Sequence, residues 1–146
     1  VAKSKKGFEE MSEDCIFCKI IAGKIPSAKV YESEKILAFL DIGPVNKGHT
    51  LVVPKTHYET VMDTPDRELV ELALAVKNIS AALHTALKAD GISVSQSNHR
   101  AAGQLVPHVH FHLIPRYKGD GFHHWPQGKY AEGEMERVRQ DVAKFL

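Results

Sequence analysis

Cysteine is scarce in this chain: two among 146 residues, both inside "CIFC" at 15–18. They are too close together to staple a loop of any size, so no disulfide framework is available and a reducing, cytoplasmic setting is expected. No apolar run reaches the roughly 18 residues of a membrane span. No apolar core follows the lysines of "KSKK" (3–6), so no secretory leader is expected, and that run reads as a solvated tail. Neither sign of charge dominates: 19 Lys and Arg face 18 Asp and Glu, for a formal net charge of +1. The basic residues are scattered, which removes the electrostatic case for a nucleic-acid polymer as partner. Internal repeats and low-complexity linkers are also lacking. What remains is ordinary for a globular domain, 43% hydrophobic and 25% charged residues. One domain over 14–146 with a flexible lead-in over 1–13 is expected.

The hydrophobic pattern alternates between two periods. "CIFCKIIAG" (15–23) reads as a short helix, with Asp14 placed as its N-cap and Gly23 as its stop. "AKVYES" (28–33) and "KILAFLDI" (35–42) read as a hairpin, and "GHTLVVP" (48–54) as a third strand. Over 65–89, Leu69, Leu72, Val76, Ile79, Leu83 and Leu87 recur at three- and four-residue steps, which predicts one long helix. "ISVSQSN" (92–98) and "HVHFHLI" (108–114) read as strands, the second ended by Pro115. The segments 99–107 and 119–128 read as loops. A terminal helix over 133–146 is expected to turn Met135, Val138, Val142 and Phe145 inward. Hairpins plus one long helix predict an α+β domain on an antiparallel sheet of about five strands.

Nine histidines are present, and three fall within "PHVHFHLIPR" (107–116). On a strand, residues two apart share a face and lie about 6.6 Å from each other. His108, His110 and His112 therefore face one way, and Val109, Phe111 and Leu113 the other. Three polar rings in register could be mere surface, but threonine or lysine would serve a surface as well. All three cannot ligate one ion, because the outer pair stands about 13 Å apart on an extended strand. One of them can, with ligands from elsewhere. A neutral imidazole is also a nucleophile and a proton shuttle. The middle ring, His110, is the best placed to react, since both neighbours can serve it.

"HVHFHLI" resembles the His-φ-His-φ-His-φ-φ signature of the histidine triad family of nucleotide hydrolases and transferases. "CIFCKIIAGKIPSAKVYE", "ILAFLDIGPVNKGHTLVVPKTH" and "AAGQLVPHVHFHLIPRY" are similar to further blocks of that family, in order, so the resemblance covers about 14–117. It implies a nucleophile at His110 that attacks the α-phosphorus and forms a covalent nucleotidyl-histidine. It implies that His112 donates to a phosphate oxygen or the leaving group, and that His49 lies near the phosphate. Asp41 would accept the ribose hydroxyls. Ile16, Phe17, Ile20, Phe39 and Ile42 would form the base slot. Asn98, Gly103 and Gln104 would approach phosphate or ribose, although a loop Asn or Gln is also an ordinary turn residue. Family members commonly carry Ser or Thr after the Gly-Gln pair, where this chain has Leu105, so a hydroxyl able to relay a proton is missing.

Cys15 and Cys18 alone have the spacing of half a zinc site, of a redox pair or of two buried inert thiols. The resemblance implies a structural zinc completed by His57 and His108. It further implies a homodimer, joined through sheet edges or the long helix, and a purine nucleotide or nucleotide conjugate as ligand. The expected activity is a nucleoside phosphoramidate hydrolase. The alternatives are a dinucleoside polyphosphate hydrolase and a nucleotide-binding module without turnover. His84 reads as a helix surface residue and His99 with Arg100 as solvated loop. His123, His124 and Trp125 are as consistent with substrate contact as with plain surface.

Overall fold

The computed structural model describes residues 13–123 and 125–146. The expected lead-in therefore falls, apart from Glu13, outside the described residues, as does His124. The elements are α1 (Ile16–Ile21), β1 (Lys29–Glu32), β2 (Ile36–Leu40), β3 (Thr50–Pro54), α2 (Asp66–Ala86), β4 (Gly91–Ser95), a 3-10 turn (Arg100–Ala102), β5 (Phe111–Arg116) and α3 (Glu134–Ala143). The five strands form one antiparallel sheet in the order β1-β2-β3-β5-β4.

The two middle strands are apolar on both faces because both faces are covered. Ile36, Ala38, Val52 and Leu113 pack on Leu72, Ala75, Val76, Ile79 and Leu83 of α2. Leu37, Phe39, Leu51 and Val53 point the other way, onto Cys15, Phe17, Cys18 and Ile20 around α1. The alternation of side chains thus sends one half of each strand to a long helix and the other half to a short one. A six-residue helix cannot roof a whole sheet face, and the uncovered part becomes the site. Ser33 sets the first hairpin: its Oγ accepts from Ile36 N–H, and its N–H donates to Ile36 O.

Three expectations are corrected. First, β5 is displaced toward the C-terminus. Val109 N–H donates to Tyr58 O at 2.7 Å rather than to a strand, so the first two triad histidines precede the regular ladder. Pro115 does not end the strand but pairs with Ile92. Its carbonyl points to the side where β3 has already stopped, and Asn46 Nδ2 donates to it at 2.8 Å. The N–H that proline lacks would face that same side, so no ladder bond is forfeited. Second, α3 does not turn its apolar stripe inward. Met135, Val138, Val142 and Phe145 are 63, 42, 55 and 90% exposed. Third, Cys15 and not Asp14 caps α1, and no side-chain bond supports that cap.

Candidate active site

The uncovered part of the sheet is a cavity of about 400 Å³ between α1, the ends of β2 and β3, and the approach to β5. Its walls are mostly apolar and include Ile16, Phe17, Ile20, Ile25, Phe39 and Leu51. Polar groups gather at one end: Asp41, His110 and His112. Leu51 stands directly opposite His112 in the β3–β5 register, so both point to the same face. Phe17 braces the histidines. Its ring meets His110 edge-on at 5.1 Å between centroids, and meets His108 at 5.9 Å and Phe39 at 5.6 Å.

The protons on these rings are ordered by their neighbours. His110 is buried, and its Nδ1 lies 2.7 Å from the carbonyl of His108. A carbonyl only accepts, so Nδ1 carries the proton and Nε2 keeps its lone pair. Val45 N–H donates to His49 Nδ1 at 3.1 Å, which leaves the proton of His49 on Nε2. That Nε2–H donates to His112 Nδ1 at 2.9 Å. The remaining nitrogen of His112, Nε2, is therefore a donor. A ring nitrogen with its lone pair free and a ring N–H donor stand side by side, their ring centroids 4.9 Å apart.

Burial pushes all of these rings toward the neutral state. Desolvation lowers His112 to about 4, helped by the neighbouring His110 and His49 and opposed by Asp41. It lowers His110, against the pull of the His108 carbonyl and of Asp41. It lowers His49 as well, with Asp41 again opposing. Neutral imidazole is the form that can attack phosphorus or pass a proton.

Behind this row lies a second cluster. Cys15 Sγ, Cys18 Sγ, His57 Nδ1 and His108 Nδ1 all fall within 4.8 Å of one another. The separations are 3.5 Å for Cys15–His108, 3.3 Å for Cys18–His57, 3.6 Å for Cys18–His108 and 3.1 Å for His57–His108. Zinc bonds of about 2.0–2.3 Å in a tetrahedron give ligand–ligand edges of about 3.3–3.8 Å. Two thiolates and two imidazoles at these separations fit that shell. The outer support is also present: His108 Nε2–H donates to Pro54 O at 2.9 Å, which directs the Nδ1 lone pair into the cluster. Burial lowers His108 to about 4, which keeps that lone pair unprotonated. Neither cysteine is in a disulfide. Asp41, His49 and His112 also lie close enough to form a three-residue group. There, however, two nitrogens already point at each other across a hydrogen bond, and no space is left between them for an ion.

The structure brings Ile16, Phe17, Ile20, Phe39, Asp41, Ile42, Gly103, His110 and His112 to the cavity wall. His49 reaches the cavity only through His112. Asn98 and Gln104 are not brought to the wall. Asn98 Oδ1 accepts from Val61 N–H, while Gln104 Oε1 accepts from His99 N–H and its Nε2 donates to Glu59 O. These two amides hold the loop that carries Gly103 and Leu105. The loop is bent at His99, whose φ of +67° is rare for a side chain with a Cβ. His84, His99, His123 and Trp125 are exposed. Ile25, Leu51 and Val106 line the cavity although sequence reading passed over them. Leu51 was detectable, since it shares its strand face with Val53 and stands two residues from His49.

Comparison with known proteins gives the class. Residues 22–119 match the family model described as the HIT domain. A HIT-family protein of Bacillus subtilis has a crystal structure that superposes with a TM-score of 0.85 at 47% identity, covering 92% of this chain and 98% of that one. This chain belongs to the HIT family. The adenosine 5'-monophosphoramidase hnt1 of Schizosaccharomyces pombe is 43% identical over 137 residues, 90% of this chain and 98% of its own length. A zinc-bound histidine triad protein of Mycobacterium smegmatis superposes with a TM-score of 0.72 at 35% identity, covering 90% of this chain and 95% of that one. No helix among the described residues is long and apolar enough to cross a membrane.

Proposed function

We propose that the chain hydrolyses nucleotide conjugates at the α-phosphate, with purine nucleoside phosphoramidates as the preferred class. The observation that carries this reading is the Nδ1–H bond from His110 to the His108 carbonyl, which leaves Nε2 nucleophilic beside a mostly apolar cavity. A purine fits the slot of Ile16, Phe17, Ile20, Phe39 and Ile42, which selects a flat apolar face and little else. Asp41 accepts the ribose hydroxyls. Gly103 lets the loop backbone approach the phosphate. The name of the fission-yeast relative points to the same substrate class.

In the first step the Nε2 lone pair of His110 forms an N–P bond, and the bond from phosphorus to the leaving nitrogen breaks. His112 Nε2–H holds that nitrogen by a hydrogen bond, the nitrogen takes up a proton from solvent, and the amine departs. In the second step water attacks the same phosphorus and the His110–P bond breaks, its electron pair returning to Nε2. The water's second proton returns to solvent, and His112 keeps its own throughout. In-line geometry and charge stabilisation on the phosphate oxygens do most of the work. Leu105, 75% exposed at the cavity mouth, supplies no hydroxyl to the leaving group, so the hydrogen bond to the leaving nitrogen falls to His112. Dinucleoside polyphosphates, whose leaving group is a phosphate needing no such help, are the second substrate class for this reason.

Cys15, Cys18, His57 and His108 would hold a zinc ion. With four protein ligands it would be structural, anchoring the first triad residue and offering no open position for substrate. A two-fold dimer accords with the outward-facing Val70 and Leu74 of α2 and Val94 of the edge strand β4. The two thiols are consistent with a reducing cytoplasm.

The test is release of AMP from an adenosine phosphoramidate. The His110→Ala variant should lose turnover by at least about a thousandfold yet bind AMP within a factor of about two. Equal turnover by the variant removes His110 from its role. Binding of AMP with no turnover of either substrate class by the parent protein makes the chain a binding module.

A further inference from the structure

The loop between β2 and β3 is tied to the turn that follows β5. Asn46 Nδ2 donates to Pro115 O and to Asp120 Oδ2, both at 2.8 Å. Asp120 is itself held from several sides. Arg116 donates to it through Nε and through its NH2 nitrogen, and Tyr117 N–H and Phe122 N–H donate as well. The carboxylate side chain is only 10% exposed. From Asn46 the fastening runs inward. Its carbonyl accepts from His49 N–H at 3.0 Å, and one residue earlier Val45 N–H donates to His49 Nδ1. That last bond places the His49 proton on Nε2, and through it the His112 proton on Nε2.

We propose that Asn46 and Asp120 are positioning residues: by clamping the 41–49 loop to the end of β5, they fix the proton order of the His49–His112 pair. The clamp touches no substrate. Without it, Val45 N–H drifts from His49 Nδ1, and both rings can carry their protons the other way round. His112 would then present a lone pair to the leaving group where a donor is needed. A pair of neutral imidazoles has two nearly equivalent arrangements; the Val45 N–H on His49 Nδ1 distinguishes them directly, and the Asp41 carboxylate, 3.8 Å from His49 Nε2, favours the same order from a distance. This rests on the catalytic reading above, but its first readout does not need turnover.

The experiment is nitrogen-15 NMR of the histidine rings in the nucleotide-free protein, loaded with zinc, for the parent chain, Asn46→Ala and Asp120→Asn. The parent should show His49 and His112 protonated at Nε2 alone. Both variants should show mixed tautomers at these two rings and an unchanged His110. Ile79→Val, a core truncation on the opposite face of the sheet, serves as the stability control and should leave the ring signals as in the parent. With an adenosine phosphoramidate, kcat should fall about tenfold in the clamp variants while AMP affinity stays within about twofold. Parental tautomers in both clamp variants overturn the proposal, as does a tautomer change of equal size in Ile79→Val. A parent protein without turnover would defeat the catalytic reading and leave the tautomer result standing by itself.

Discussion

Removing the proposed zinc should cost this protein a large part of its stability, and linkage sets the size. Cys15, Cys18 and His108 are 5, 2 and 0% exposed, and two ring nitrogens stand 3.1 Å apart. Without a cation these groups sit buried with poorly matched partners. With free zinc a thousandfold above its dissociation constant, linkage gives about 4.1 kcal/mol to the folded state. Unfolding entropy of about 2.1 cal/mol/K per residue makes 1 kcal/mol worth about 3 °C for a chain of this length. Chelation should therefore lower Tm by about 13 °C, and re-addition of zinc should restore it. Elemental analysis of protein prepared without chelator should find about one zinc per chain. Cys18→Ser should lose most of the metal and melt near the chelated protein. A Tm within about 2 °C before and after chelation, together with no metal in the untreated protein, would sink the four-ligand site.

Truncating Phe17 to Ala removes a ring packed on His108, His110 and Phe39. It should cost about 3–5 kcal/mol in urea unfolding and weaken AMP binding in the same protein, whereas a loss under 1 kcal/mol would deny its bracing role. Stability should also respond to acid through His112, whose folded pKa of about 4 lies below the unfolded value of about 6.5. The unfolded chain binds the extra proton in that window, so this contribution is complete above pH 6.5 and is lost as pH falls toward 4. His49 acts in the same direction. The pH dependence of ΔG should be shallower in His112→Asn, and a slope identical to the parent's would refute the assignment. Gly48 has φ of +92°, and an added Cβ would meet Leu87 Cδ1 and lie 3.3 Å from Pro115 Cγ. The leucine end can swing aside but the buried proline ring must shift, so Gly48→Ala should cost at least the backbone penalty of about 1–2 kcal/mol by thermal melts.

Local pattern carried further in some segments than in others. The apolar recurrence in α2 specified the helix and the residues it buries, because a 21-residue element averages over many positions. β2 and β3 were visible as apolar runs between turn residues. β5 was misplaced because the competing partner of Val109, the carbonyl of Tyr58, lies far away in the chain and leaves no local trace. Pro115 was misread for a related reason: a proline breaks a strand only when its nitrogen faces a neighbour, and which side it faces depends on where β3 stops. The stripe of α3 has helical period but no surface among the described residues that receives it, and period alone does not name a receiver. At the site, identity and spacing pointed to the histidines and to the thiol pair. The resemblance places Asn98 and Gln104 at the phosphate or ribose, yet neither lines the cavity. Their engagement with Val61, His99 and Glu59 needed coordinates. Asn46 and Asp120 gave no signal at all, since each looks like one more turn-former.

His108 divides its duties between two parts of one residue. Its imidazole belongs to the thiol cluster, while its main-chain oxygen aligns the ring two positions later. Every amino acid owns such an oxygen. Descendants of this chain could exchange the ring at 108, give up the ion, and still aim the reacting nitrogen, provided some other packing kept the backbone in place. Under the proposed function, zinc dependence and reactivity are thus separable by mutation, even though a single position would serve both.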